Sequence, residues 1–185
     1  MYAFCIYTSL GIKIEFLMSI ITLTTDLGSK DFYQAALKGS ILKNLPTANI
    51  VDISHEIPAF NISYAAFVLK NAYPYFPKNS VHLIGIDSVF SETTKYLAIS
   101  YKGHYFVGAD NGIFSLLIDD KADEIVELNI MQDLKFLHFP LADIFVKAAV
   151  HLAKGGKLTD IGISTSVIEE RMLLHPVTEA NMIRG

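Results

Sequence analysis

Three short β-branched runs, each ended by polar residues and separated from the next by a stretch of helical periodicity, restrict this chain to few folds. Residues 19–24 (SIITLT), 49–54 (NIVDIS) and 81–87 (VHLIGID) read as strands, because branched apolar side chains are followed at once by turn residues. Between the first two, residues 31–45 place Phe32, Ala35, Ala36, Ile41 and Leu42 at helical spacing and stop before Pro46. Between the second and third, residues 62–72 (ISYAAFVLKNA) read as a helix closed by the turn-rich YPYFPKNS. Alternation of this kind is satisfied by a mostly parallel central sheet with helices on both faces, so the expected fold class is α/β.

The second half of the chain continues differently. Residues 96–100 and 105–108 read as a hairpin across Lys102-Gly103, residues 112–118 as a short helix and residues 124–130 as a further strand. Residues 142–154 (ADIFVKAAVHLAK) form an amphipathic helix before Gly155-Gly156. No internal repeat or low-complexity tract is present.

Composition excludes several function classes. With 185 residues, 51% of them hydrophobic, the chain can bury a substantial core. A net charge of −4 and the lack of any Lys/Arg run argue against a nucleic-acid partner, which needs a basic surface to displace counterions. Cys5 is the sole cysteine, so an internal disulfide and a cysteine zinc cage are excluded, and a reducing cytoplasm is the expected compartment. The six histidines are scattered without metal-ligand spacing, and no metal site is expected. Residues 1–17 are apolar but have no basic segment in front, and Lys13 and Glu15 interrupt them short of the ~20 residues of a membrane span. They are read as an extension ahead of the native start at Met18, and no membrane association is expected.

In an open parallel sheet, ligands bind beyond the carboxyl ends of the strands. The residues at those ends here are Thr25 and Asp26, Ser54 and His55, Asp87 and Ser88, and, after the hairpin, Asp110 and Asn111. Carboxylates and amides converging from separate strands suit a hydroxyl-rich ligand, because a carboxylate accepts paired hydrogen bonds from a diol. The same residues also have structural readings. Asp26 and Asp87 can cap turns, Asp110-Asn111-Gly112 is a turn signature, and His55 can be a turn histidine satisfied by backbone. His104, beside the hairpin turn, is expected to be solvated. No G-x-G-x-x-G, P-loop or G-x-S-x-G occurs, so spacing alone supports a polar small-molecule site and nothing finer.

The strand-end residues lie within five ordered segments: TLTTDLGSKDFYQAALKGSIL, IVDISHEIPAFNISYAAFVL, YPYFPKNSVHLIGIDS, FVGADNGIFSLL and DIFVKAAVHLAKGG. Together they resemble the S-adenosylmethionine hydroxide adenosyltransferase family, which also contains fluorinating and chlorinating enzymes of the same fold, and the resemblance runs over residues 20–162. It implies an α/β nucleoside-binding domain over residues 18–162, with residues 163–185 forming a linker toward a small β-rich carboxy-terminal domain that this chain lacks. It also implies a homotrimer with active sites between subunits. No cofactor is implied, and S-adenosyl-L-methionine is the substrate, hydrolysed to adenosine and L-methionine by in-line attack at the ribose 5′ carbon. By the same resemblance Asp26 holds the ribose hydroxyls, Phe60 packs on the nucleoside, Asn111 forms the pocket edge, and Phe139 is an aromatic ahead of the last helix. Asp87 matches the strand-end carboxylate of the hydrolysing branch and is expected to orient and deprotonate water.

The chain departs from the family pattern at two catalytic positions. Hydrolysing members carry an Arg seven residues after that Asp, where this chain has Thr94 and, next to it, Lys95. The family His aligns with Pro140, two residues from His138. Lys95 and His138 are therefore the candidate replacements. Leu141 stands where halogenating members place a halide-contacting hydroxyl, which weighs against halogenation. Two functions remain open: a hydrolase, and a catalytically impaired or truncated nucleoside-binding module of the same family.

Overall fold

The computed structural model describes residues 19–88, 93–129, 139 and 141–171, together with the backbone of four short strands near the ends of the chain. Those four form two separate antiparallel pairs. The first joins β1 (Phe4–Tyr7) to β2 (Lys13–Phe16), and the second, at the other end, joins Val177–Glu179 to Met182–Arg184.

The main body is built from β3 (Ile20–Thr25), α1 (Tyr33–Asn44), β4 (Asn49–Ser54), α2 (Ile62–Ala72), β5 (Val81–Gly85), β6 (Tyr96–Tyr101), β7 (His104–Ala109), α3 (Ile113–Leu117), β8 (Glu124–Leu128), α4 (Val146–Ala153) and β9 (Gly162–Ser164). A seven-stranded sheet runs in the order β4-β3-β5-β7-β6-β8-β9. β4, β3, β5 and β7 are mutually parallel, while β6, β8 and β9 continue the sheet in antiparallel pairings. The α/β expectation holds, with the parallel part confined to the four strands that carry the strand-end polar residues.

Period-two alternation divides the side chains between two cores. Ile21 and Leu23 of β3, Val81 and Leu83 of β5 and Val107 of β7 pack with Leu37 and Ile41 of α1 and with α4. Ile84 of β5, Leu97 and Ile99 of β6 and Phe106 of β7 pack with Ile62, Ala65 and Leu69 of α2 and with Phe114 of α3. Helices α1 and α4 thus cover one face, and α2 and α3 the other. Every residue of β5 is buried, as a strand sandwiched between two helical layers must be.

Local chemistry explains the element boundaries. Asn61 caps α2 by accepting a hydrogen bond from the Tyr64 amide at 3.0 Å, and Tyr73-Pro74-Tyr75 tightens its exit into a 3₁₀ turn. Lys102 and Gly103 both have positive φ, 50° and 77°, the two-residue turn that matches the twist of a hairpin. That turn overturns one expectation: His104 is paired with Tyr101 at the start of β7, points to the α2 side and is 2% exposed rather than solvated. The helix expected over 142–154 opens as a π turn, Leu141–Phe145, before settling into α4.

β9 was not foreseen. It joins the edge of the sheet through Leu128↔Gly162 and Glu127↔Ile163. A Cβ on Gly162 would lie 2.4 Å from the Glu127 carbonyl oxygen, a backbone atom that can move only if the strands part. Gly162→Ala is expected to lower stability by about 1–3 kcal/mol through this overpacking, read as a lower urea midpoint with unchanged slope.

Candidate functional site

The connectivity of the parallel strands creates a crevice. From β3 the chain crosses over α1 to β4 on one side, then returns over α2 to β5 on the other side of β3. The chain leaves β3 toward β4 on one side and leaves β5 toward β6 on the other, so the loops diverge, and the gap between their carboxyl ends is the topological switch point where such sheets bind ligands. Asp26 follows β3 and Asp87 follows β5 by one turn.

Asp26 is the hub of this gap. Its Oδ2 accepts hydrogen bonds from the backbone amides of Phe60 at 3.2 Å and Asp87 at 3.3 Å. Both donors have left-handed backbones, φ 63° at Phe60 and 43° at Asp87. Phe60 occupies the third position of a turn closed by the Asn61 amide on the Pro58 carbonyl, a place that normally takes glycine. Such conformations cost about 1–3 kcal/mol each and persist only where surrounding contacts over-determine them. Here one charged oxygen supplies part of that determination for two loops at once. β5 consequently ends at Gly85, because the chain turns at Ile86-Asp87 to present the Asp87 amide.

Asn111 completes the constellation from β7. Its Nδ2 donates to the carbonyls of Ile86 at 2.9 Å and Asp87 at 3.3 Å, and its Oδ1 accepts from the Ile113 amide at 3.3 Å. The Asp-Asn-Gly turn therefore braces the loop carrying Asp87 while starting α3. Gly112, at φ 92°, makes that turn, and the aliphatic stem of Arg171 covers it. Asp110 accepts the Glu169 amide at 2.9 Å, and burial pushes its carboxyl above the usual range against the pull of that hydrogen bond.

The candidate residues thus sort into two groups. Asp26, Phe60, Asp87 and Asn111 are joined by direct hydrogen bonds at the switch point. Phe60 is 64% exposed, a large apolar residue at the lip of the crevice. Phe139 packs on Tyr33, ring centroids 5.3 Å apart, with Tyr33 stacked on Phe32. Lys95 is not aimed at the cluster: its ammonium pairs with Glu127 of β8 at 2.9 Å, which raises its pKa, and its carbonyl accepts the Asp110 amide. His138 and Pro140 lie outside the described residues. Leu141 is buried with its Cδ2 against Gly85, an apolar floor under the end of β5.

Sequence reasoning missed the aromatic group Phe32-Tyr33-Phe139 as a unit; the adjacent aromatics in DFYQ were the available signal. It also missed the role of His55, which is buried and engaged through its side chain rather than by backbone alone. Among the described residues no group of three or more His, Cys, Asp or Glu side chains could hold a metal ion, and no helix is long and apolar enough to cross a membrane.

Comparison with known proteins gives a consistent picture. The family model for the SAM hydroxide adenosyltransferase N-terminal domain matches residues 21–162. An (R)-S-adenosyl-L-methionine hydrolase of Methanocaldococcus jannaschii is 46% identical over 108 residues, covering 56% of this chain and 41% of the relative. A protein of the same name from Salinispora arenicola is 31% identical over 150 residues, covering 77% of this chain and 56% of the relative. The chain therefore spans from about two-fifths to just over half the length of these curated relatives. The crystal structure of an uncharacterized conserved protein from Thermotoga maritima superposes with a TM-score of 0.76 at 31% identity, covering 86% of this chain and 64% of that one.

Proposed function

The chain belongs to the SAM hydroxide adenosyltransferase family, by its N-terminal domain, and on that premise we propose that it serves the hydrolysis of S-adenosyl-L-methionine to adenosine and L-methionine. The observation that carries this reading is the convergence of Asp26, Asp87 and Asn111 on the gap between β3 and β5. A carboxylate fixed there suits the two hydroxyls of a ribose, and the exposed Phe60 ring offers a face for the nucleoside.

The chemistry asks little of the protein beyond placement. The oxygen of water attacks the 5′ carbon, the carbon–sulfur bond breaks, and its electron pair leaves on the sulfur of methionine. A sulfonium departs without an acid, so the protein's part is to align the water and accept its proton. In this proposal Asp87 does both, its backbone held by Asp26 and Asn111 and its carboxylate assigned to the water. The buried Leu141 side chain gives no hydroxyl to a halide and supports water as the nucleophile. Phe139, beside Tyr33, forms the outer aromatic wall. A homotrimer in the cytoplasm, in which a small β-rich domain of a neighbouring subunit closes each cleft, belongs to the same proposal, as does the absence of a cofactor or a nucleic-acid partner.

The test is chromatography of the nucleoside products after incubation of the full-length protein with S-adenosyl-L-methionine. Adenosine is expected to accumulate, and Asp87→Ala is expected to slow it by about 10²-fold or more, the usual contribution of a positioned general base. Adenosine formation unaffected by that substitution would remove Asp87 from the reaction. The second reading, a nucleoside-binding module without turnover, is favoured by the engagement of Lys95 with Glu127. Adenosine binding by calorimetry with no product from the wild-type protein would establish it.

A further inference from the structure

His55 reaches the site from behind. It follows β4, is 6% exposed, and makes contacts on both sides of its ring and through its backbone. Nδ1 lies 2.6 Å from Oγ1 of Thr25, the fully buried last residue of β3. Nε2 lies 3.1 Å from Asp52 Oδ1, an ion-pair distance whose direction falls short of hydrogen-bond geometry. The other oxygen of Asp52 is 2.5 Å from the Lys38 ammonium on α1. Burial raises the Asp52 pKa, but the Lys38 hydrogen bond and the nearness of His55 outweigh it and leave the carboxyl below its ordinary value.

The polarity of this chain follows from its charged end. A bare Nε2 lone pair would repel the carboxylate, so in the neutral ring Nε2 carries the proton and Nδ1 accepts. Thr25 must then donate its hydroxyl to Nδ1, which leaves its oxygen to accept the Leu27 amide at 3.4 Å. The His55 carbonyl meanwhile accepts the Gly28 amide at 2.8 Å, and the Gly28 carbonyl accepts Gln34 Nε2 at 2.7 Å. Residues 25, 27 and 28 are thereby tied down around the one residue between them that faces the crevice, Asp26.

We propose that His55 is a positioning residue for the site, acting through Thr25 and backed by Asp52 and Lys38 to hold the Asp26 carboxylate toward the ligand. This rests on reading Asp26 as the ribose-binding carboxylate, and it gives the histidine a role in affinity that packing alone would not. His55→Asn sets an amide oxygen near the place of Nδ1 and keeps an acceptor for Thr25, whereas His55→Leu keeps bulk and loses the bond. Thr25→Ser keeps the hydroxyl, and Thr25→Val loses it at nearly constant volume.

The experiment combines adenosine titration calorimetry on the full-length protein with imidazole ¹⁵N NMR and amide hydrogen exchange. Expected results are a Kd about tenfold weaker for His55→Leu and Thr25→Val, and within about twofold of wild type for His55→Asn and Thr25→Ser, as befits one buried hydrogen bond lost or kept. KM should rise in the two weakened variants with kcat nearly unchanged, and NMR should report His55 protonated at Nε2 and bare at Nδ1. Unchanged affinity in His55→Leu and Thr25→Val, with Asp26→Ala weakened, would overturn the proposal and leave the ribose site standing. If the wild-type protein binds no adenosine, the ribose reading fails by itself. Exchange then decides: faster Leu27 and Gly28 amides in Thr25→Val support the positioning role, and unaltered ones overturn it.

Discussion

Asp26→Ala is expected to weaken adenosine binding by about 1.5–3 kcal/mol, roughly 10- to 150-fold, and to lower folding stability by about 1–3 kcal/mol at the same time. The two losses have different origins. The first is the removal of charge-assisted hydrogen bonds to the sugar. The second arises inside the protein, because Oδ2 is the acceptor for the Phe60 and Asp87 amides and both residues hold left-handed backbones. With the carboxylate gone, those turns lose a partner that offsets their strain, and the loops after β3 and β5 are free to separate. Asp26→Asn distinguishes the two effects. An amide oxygen can still accept from Phe60 and Asp87, so stability should return most of the way in urea titrations, while affinity stays weakened because the charge is absent. Wild-type affinity in the Asn variant would show that Asp26 shapes the loops without touching the sugar.

How much of this was legible in the sequence depended on whether the deciding contact was local. The strands and helices of the β3-to-β5 region follow periodicity closely, and α2 matches its expected bounds because Asn61 caps one end and Pro74 sits beyond the other. The polar strand ends were legible for the same reason: a short strand must be followed by a turn, and the sheet directs every such turn to one edge. What could not be read was the partner each residue would choose. Nothing in TTDLG signals that Asp26 will bond the amides of residues 34 and 61 positions away. Nor does spacing indicate that Lys95 will turn to Glu127 on β8, since that pairing depends on β6 and β8 being neighbours. β9 escaped notice because a three-residue edge strand needs no pattern of its own when β8 supplies the ladder. The π turn at Leu141–Phe145 kept the apolar spacing of an ordinary helix and so left no trace.

Acid is expected to destabilise the protein before its carboxylates are titrated, because two histidines are buried neutral beneath α2. His82 is inaccessible, with Nδ1 2.7 Å from Thr22 Oγ1 and Nε2 3.2 Å from His104 Nδ1. The rings of Tyr73, Phe76 and Phe106 surround the pair. Burial, then repulsion from His104, holds His82 down at about 3; burial, then the Lys78 charge, holds His104 at about 4. Both values lie below the 6.5 of an exposed imidazole, so the folded state takes up its protons later than the unfolded one. Stability is therefore complete above pH 6.5 and declines as pH falls below it, by about 1.4 kcal/mol per unit for each histidine until its folded pKa is reached. Between pH 6.5 and 4.5 the pair should remove about 3–5 kcal/mol, a large share of the 5–15 kcal/mol typical of a domain. No single proton position accommodates both rings charged, since Nε2 of one and Nδ1 of the other would then be donors facing each other. His104→Gln keeps a polar group in that place and removes one titration, so the fall in urea midpoint over this pH range should be close to half that of wild type. An equal fall in both proteins would mean that the acid sensitivity has its source elsewhere, in groups such as Asp52 whose stabilising charge is lost only near and below pH 3.8.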